Sequence, residues 1–227
     1  MAIACYLAMT AAEFSACASL PPHIGWLSCH FSSSGPGLSN MPKALPQDSV
    51  LILDDSTPFH DHNADVILGQ LQEVADTMQL RAILLDFQRE KKPAVQDLVA
   101  VLQKELSCPV AAPPEYANGN APVFLPPCPL NKKLKSHLAP CQGRSVWLDI
   151  SPLPARITLT PRGSHYEALK EIRNAPHWEP NLHCHYNIDI EDERIVFTLA
   201  RDFESWLTEA EKLGVSAAIG LYQEFRK

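Results

Sequence analysis

The sequence predicts an α/β fold, namely a reduced (β/α)8 barrel of the TIM type. Short apolar segments alternate with amphipathic helical segments along most of the chain, and this order is typical of a parallel sheet with helical crossovers. Eight apolar segments can be counted, which is the number that closes a barrel. The chain has 227 residues, of which 46% are hydrophobic. This is a normal size for one barrel, so residues 1–227 are predicted to form a single domain.

The predicted strands are mostly continuous apolar runs, as expected of parallel strands that are covered on both faces. They are Ile3–Met9, Ile24–Phe31, Val50–Asp54, Ala82–Phe87, Pro109–Ala112, Pro122–Leu125, Ser145–Ile150 and Val215–Leu221. Only the segment PPEYANGNA separates the fifth strand from the sixth, which is too short for a full crossover helix. The competing fold is a doubly wound sheet, and the sequence has no GxGxxG or P-loop motif that would favour it.

Three segments between the strands predict helices, because each carries an apolar stripe at helical spacing. They are Ala64–Leu80, Ala94–Leu106 and Asp202–Leu213. Pro93 suits the first turn of the second helix, and Gly214 suits the end of the third.

The segment 151–201, before the last helix and strand, is predicted to be an insertion on the rim of the barrel. Its stretches ARITLTPRG, LHCHYNIDI and RIVFTLAR alternate apolar and polar residues as antiparallel strands do. Residues Gly163–Asn174 are predicted to form a short helix. We therefore expect a small α+β unit.

Composition excludes several classes of function. The net charge of −7 disfavours nucleic acid as a partner, and the one basic cluster, Lys132–Lys133–Lys135, is interpreted as a solvated helix face. No apolar run approaches the roughly 20 residues that span a membrane. The apolar N-terminal segment has no basic region and is interrupted by Glu13, so the predicted location is cytoplasmic. The seven cysteines are scattered singly, which predicts free thiols, and no cofactor motif is present, so no cofactor is predicted.

Polar residues follow the predicted strands at their carboxyl ends, where the active sites of such barrels lie. Together they predict an acidic pocket for a small molecule or an oligosaccharide, without a metal. Paired carboxyl groups can divide into acid and base, as glycoside cleavage requires, and Trp147 suits stacking beneath a sugar ring if its strand faces the pocket. The catalytic candidates are Asp86, Glu115 and Asp149. The substrate-binding candidates are Gln88, Asp54, Trp147, Tyr222 and Glu224.

The fourth predicted strand, AILLDFQRE, resembles the signature strand of family 18 glycoside hydrolases, the chitinase-like barrels, whose pattern is Asp-x-x-Asp-x-Asp-x-Glu. The stretches IACYLAM and AEKLGVSAAIGLY are similar to the first strand and to the closing helix–strand unit of that family. Asp86 matches the last Asp of the pattern. Leu84 stands in place of the middle Asp, and Gln88 replaces the Glu that protonates the leaving oxygen.

The resemblance implies that Asp86 positions or polarises a substrate amide and that Gln88 forms hydrogen bonds. Because an amide cannot give up a proton as an acid does, the resemblance does not give Gln88 a role in acid catalysis. Another carboxyl group, from Glu90, Glu115 or Asp149, would have to supply the proton. The expected function is therefore binding, and conditionally hydrolysis, of a glycan or glycoside.

Two alternatives remain open from the residues. A non-catalytic carbohydrate-binding barrel follows from the replacement at Gln88. A metal-dependent hydrolase would use His60 and His62, because residues two apart on an extended strand share a face and can chelate one metal ion. A second pair, His183 and His185, lies in the rim insertion.

Overall fold

The computed structural model describes residues 3–59, 63–89, 91–161, 163–172, 174–191 and 194–225. The strands are β1 (Ala4–Met9), β2 (Ile24–Phe31), β3 (Leu38–Ser39), β4 (Val50–Asp54), β5 (Ala82–Asp86), β6 (Val110–Ala111), β7 (Val123–Leu125), β8 (Val146–Asp149), β9 (Ala155–Thr160), β10 (Gly163–Ala168), β11 (His177–Glu179), β12 (Cys184–Glu191), β13 (Arg194–Arg201) and β14 (Val215–Leu221). The α-helices are α1 (Ala11–Ala16), α2 (Ala64–Met78), α3 (Pro93–Glu105), α4 (Leu134–Leu138), α5 (Phe203–Lys212) and α6 (Tyr222–Phe225).

Eight parallel strands form a nearly closed barrel. Their hydrogen-bonded order is β6, β5, β4, β2, β1, β14, β8 and β7, and each neighbouring pair is parallel. A parallel bridge between Ala112 and Val123 joins the two ends of this order. The predicted barrel is therefore confirmed, and each of its eight strands lies within one residue of the predicted bounds.

The apolar runs form strands because both of their faces are covered. Side chains of a strand point alternately to its two sides. In β4, Val50 and Ile52 belong to the cluster inside the barrel, whereas Leu51 and Leu53 pack with the outer cluster that includes residues of α2 and α3. Four consecutive residues of β4 and of β5 are buried for this reason.

The three predicted helices are confirmed as α2, α3 and α5, and two crossovers have no helix. The described residues 112–122, between β6 and β7, contain no helix, as predicted. The described residues 32–49, between β2 and β4, contain only β3, which pairs antiparallel with β2. Without these two helices the barrel is smaller than a full (β/α)8 unit.

The insertion forms an antiparallel sheet on the rim, in the order β10, β9, β13, β12 and β11. The helix predicted over Gly163–Asn174 was wrong, because Gly163–Ala168 is β10, which pairs with β9 along its whole length. Gly163 has a φ of +134°, which glycine adopts far more easily than other residues. All six side chains of β10 are exposed, so backbone hydrogen bonds hold this strand and no apolar pattern marks it.

The rim sheet packs against the barrel through a small apolar cluster of Leu130, Ala155, Cys184 and Leu199. The backbone N–H of Asp202 also donates to the carbonyl oxygen of His183, at 2.8 Å. These contacts place the end of β13 beside the loop that follows β7.

No helix in the described part of the chain is long and apolar enough to cross a membrane. All seven cysteines lie within the described residues and are unpaired, as predicted.

Candidate functional site

A cleft of about 630 Å³ opens at the carboxyl ends of the barrel strands. Its polar lining includes Asp86, Gln88, Glu115, Lys132, His137 and Asp149, and most of the other lining residues are proline or phenylalanine. The volume falls within the range of small-molecule sites, and a largely apolar wall with a few polar groups is typical of them.

Two acids stand side by side at the carboxyl ends of β4 and β5, and of the two Asp86 lines the cleft. Asp54 and Asp86 are partners in the parallel register of these strands. The four residues before each acid are buried, whereas both acids are half-buried. The strands therefore bring the two carboxyl groups to the same edge of the barrel, at the first positions where solvent reaches the chain.

Asp55 fixes the loop that follows β5. Its carboxylate is buried and accepts hydrogen bonds from the backbone N–H groups of Gln88, at 3.0 Å, and Arg89, at 2.9 Å. The Nε of Arg89 donates in turn to the carbonyl oxygen of Asp55, at 2.5 Å. Asp55 thus determines where Gln88 stands, a role that its position in the pair Asp54–Asp55 does not predict.

Gln88 donates a hydrogen bond from Nε2 to Oδ1 of Asp86, at 3.0 Å. Burial is the main cause of the raised pKa of Asp86, and the charges of Asp54 and Asp55 raise this pKa further. The hydrogen bond from Gln88 opposes them, because it stabilises the ionised carboxylate. Gln88 is therefore a hydrogen-bond donor to Asp86 that favours its ionised form.

Asp149 ends β8 and lines the same cleft. The pKa of Asp149 is raised to about 7, mainly by burial and then by the negative charges of Asp86 and, less strongly, of Glu224. The backbone N–H of Ile150 has the opposite effect on this pKa. A carboxyl group with a pKa near 7 can hold and release a proton at neutral pH, which is the property that a general acid needs.

The other candidate residues lie in different places. Glu115 lines the cleft and is exposed. Oε2 of Glu224 is buried and has no hydrogen-bond partner within the described residues. Trp147 is buried inside the barrel, with its ring centroid 5.4 Å from that of Tyr6. The hydroxyl of Tyr222 faces the thiol of Cys17, at 3.4 Å.

The structure therefore brings Asp86, Gln88, Glu115 and Asp149 together in one cleft. Trp147 and Tyr222 contact other parts of the molecule. That they bind a sugar remains a prediction, and their positions do not favour it.

His137 and Lys132 are cleft residues that the sequence did not single out for binding. Nε2 of His137 lies 2.9 Å from the carbonyl oxygen of Pro126. A carbonyl can only accept, so Nε2 carries the proton and Nδ1 can accept a hydrogen bond from a ligand. Burial lowers the pKa of His137, which favours this neutral form. Lys132 precedes α4 and reaches the cleft, although its cluster was interpreted as a solvated helix face.

The structure does not test the hypothesis of a metal site at His60 and His62, because both residues lie outside the described residues. Elsewhere in the described chain, no group of three or more His, Cys, Asp or Glu residues could hold a metal ion. Nδ1 of His183 hydrogen-bonds with Oγ of Ser205, at 3.0 Å, and the ring of His185 contacts that of Trp178.

Comparison with known proteins finds a similar fold and no similar sequence. No protein-family model and no curated protein matches the sequence. Among solved structures, the chain is similar to the spore cortex-lytic enzyme SleL of Bacillus megaterium QM B1551, with a TM-score of 0.57 and 11% sequence identity, over 96% of this chain and 70% of that chain. At this identity the similarity shows a shared fold alone. Sequence comparison gives no support for membership of glycoside hydrolase family 18.

The raised pKa of Asp149 predicts a pH-dependent effect on stability. A carboxyl group whose pKa rises on folding stabilises the fold below its ordinary pKa, and this contribution is lost as the pH rises through about 7. We therefore expect Asp149→Asn to raise the melting temperature relative to the wild type more at pH 8 than at pH 5. Thermal unfolding followed by circular dichroism at both pH values measures this difference.

Asp97→Asn, at an exposed position of α3, is the control and should change the melting temperature equally at both pH values. An equal effect of Asp149→Asn at both pH values would contradict the prediction.

Proposed function

We propose that this barrel binds a glycan in the cleft at its strand ends and hydrolyses a glycosidic bond there. The observation that carries the proposal is the presence of two carboxyl groups, Asp86 and Asp149, on the wall of one cleft of about 630 Å³. Glycoside hydrolysis requires such a pair, one protonated and one ionised. The similarity of fold to a cortex-lytic enzyme supports the same class of function.

In the proposed reaction Asp149 is the general acid. Its pKa of about 7 lets it carry a proton at neutral pH and deliver it to the leaving glycosidic oxygen. Asp86 is held by the amide of Gln88 and acts in its ionised form. Its negative charge would stabilise the positive charge that develops on the sugar ring as the bond breaks. A water molecule would then add to the anomeric carbon and return a proton to the Asp149 carboxylate, so that a bond to the water oxygen replaces the glycosidic bond.

The remaining cleft residues would bind and orient the sugar. Nδ1 of His137 and the exposed carboxylate of Glu115 would accept hydrogen bonds from sugar hydroxyl groups. Phe124 and the prolines of the wall provide flat apolar surfaces for the carbon–hydrogen faces of the rings. This division of polar and apolar contacts is typical of ligand clefts.

A non-catalytic glycan-binding barrel is the second candidate. The observation in its favour is Gln88, an amide that donates to Asp86 where the chitinase-like pattern has an acid. In that case the cleft would bind the same ligands without turnover. The two candidates share the binding step and differ in the role of Asp149.

A thermal-shift screen against neutral and acidic oligosaccharides tests the shared binding step. A ligand at 100 times its dissociation constant adds about 2.7 kcal/mol to the free energy of unfolding. We expect at least one oligosaccharide to raise the melting temperature, and Asp86→Asn to reduce this shift. Asp97→Asn, outside the cleft, should leave the shift unchanged. If no oligosaccharide stabilises the protein at millimolar concentration, both candidate functions are wrong.

A further inference from the structure

A second pocket, of about 320 Å³, adjoins the cleft where the barrel meets the rim sheet. It shares Asp149 and Pro127 with the cleft. Its lining also includes Arg201 at the end of β13, Trp206 of α5 and Tyr166 of β10. A ligand that occupies the cleft at Asp149 could therefore extend into this pocket.

The guanidinium of Arg201 lies in the pocket wall, where it makes one aromatic contact and one hydrogen bond. Its Cζ lies 4.3 Å from the centroid of the Trp206 ring. Its Nη2 donates to the carbonyl oxygen of Cys128, at 2.9 Å. Its Nη1 is buried and has no hydrogen-bond partner within the described residues. A buried cationic donor without a partner costs free energy, and an anion beside it would offset this cost.

The protein itself does not supply that anion in the described part of the chain, where no carboxylate forms an ion pair with Arg201. Asp149 lines the same pocket, yet its pKa is raised. No ion pair joins Asp149 to Arg201 within the described residues, so the positive charge of Arg201 remains available to a ligand.

Lys132 adds a second positive charge in the cleft, beside the neutral His137. The charges of both Lys132 and Arg201 contribute to the lowered pKa of His137, so the three groups lie near one another. The acids Asp86, Glu115 and Asp149 line the same cleft, which therefore carries groups of both signs. A wholly acidic cleft would repel an anionic sugar, whereas a cleft with groups of both signs orients one.

We propose that the pocket of Arg201 binds a carboxylate carried by the ligand, so that the substrate class is an acidic glycan. This inference rests on the proposed function and narrows it. The sugar ring would lie at Asp86 and Asp149, and its carboxylate substituent would enter the pocket. A small rotation of the Arg201 side chain would turn Nη1 toward the carboxylate, and the planar guanidinium could then bind both of its oxygens.

Isothermal titration with matched sugars tests the inference. The probes are glucuronic acid, galacturonic acid and N-acetylmuramic acid, each compared with its own methyl ester, which removes the charge and adds one methyl group. We expect at least one acid to bind 10-fold more tightly than its ester. Arg201→Gln should abolish this preference while the ester still binds as before. Arg144→Gln is the matched control, because Arg144 is a half-buried arginine that donates to the carbonyl of Ala121 at the opposite end of the barrel.

The outcomes separate this inference from the proposed function. If acids and esters bind the wild type equally, or if Arg201→Gln keeps the preference, the inference is wrong and glycan binding stands. If none of these acids or esters binds the wild type although an oligosaccharide stabilises it in the thermal-shift screen, the inference alone is wrong; if the oligosaccharides fail as well, the proposed function is also wrong. If Arg201→Gln fails to fold, Arg201→Lys is the second variant, because it keeps the positive charge and removes the planar guanidinium. We expect Arg201→Lys to reduce the preference for the acid over its ester.

Discussion

Asp149→Asn is expected to lower glycoside turnover by 10²- to 10⁴-fold, the usual contribution of a general acid. The substitution keeps the size of the side chain and removes only the proton that would pass to the leaving oxygen. Sugar affinity should stay within a few-fold of the wild type, so the loss falls on kcat. Hydrolysis of aryl glycosides measures the turnover, and titration with an oligosaccharide measures the affinity.

The choice of aryl glycosides sharpens this test. A leaving group of low pKa, such as a nitrophenolate, needs little help from an acid, so it should restore much of the activity of Asp149→Asn. A poorer leaving group should not. Asp97→Asn should keep full activity on both substrates. If Asp149→Asn retains more than a tenth of the wild-type activity on the poor leaving group, Asp149 is not the general acid.

Asp86→Asn is expected to shift the basic limb of the pH–activity profile to lower pH. The negative charge of Asp86 is, after burial, the main cause of the raised pKa of Asp149. Without this charge, Asp149 loses its proton at a lower pH, and a smaller fraction of the enzyme carries the acid at neutral pH. Turnover should fall as well, since Asp86 would also stabilise the charge on the sugar.

A titration of the Asp149 carboxyl carbon by NMR measures the same shift without any need for turnover. Asp54→Asn is the matched control, because Asp54 is a half-buried acid at the end of the neighbouring strand and acts on the pKa of Asp86. It should leave the titration of Asp149 almost unchanged. An unshifted Asp149 in Asp86→Asn would show that the two carboxyl groups do not interact.

The barrel was predictable because its strands are covered on both faces. Val50–Leu53 and Ala82–Leu85 are buried at every position. A strand buried on both faces needs apolar residues throughout, so each of these strands appears in the sequence as a continuous apolar run. β10 was missed for the opposite reason. All of its side chains are exposed, and only its backbone hydrogen bonds with β9 define it.

The cleft was predictable only in part. Strand ends indicated Asp86 and Asp149, because parallel strands bring their carboxyl ends to one face. Trp147 points to the same side of β8 as Asp149, but it lies two residues, or roughly 6.6 Å, deeper in the barrel. It is therefore part of the buried core. Tyr222 follows β14 in α6 and contacts Cys17 instead of the cleft.

No sequence pattern predicted that His137 lines the cleft or that Arg201 lines the adjoining pocket. His137 lies in a helix of five residues after a proline-rich loop, and its place on the cleft depends on how that loop folds over the barrel. Arg201 ends an ordinary alternating strand. Its importance comes from Trp206 and Cys128, which are brought to it by packing between the rim sheet and the barrel. Such contacts between distant segments have no counterpart in local residue patterns.

A crystal structure of Asp149→Asn with the oligosaccharide that stabilises it most tests the central claim most directly. The substitution would slow hydrolysis, so an intact ligand can be observed. We predict a sugar ring in the cleft, with its glycosidic oxygen within hydrogen-bonding distance of residue 149 and Asp86 beside the ring. A ligand bound to the outer face of the rim sheet, with the cleft empty, would contradict the account.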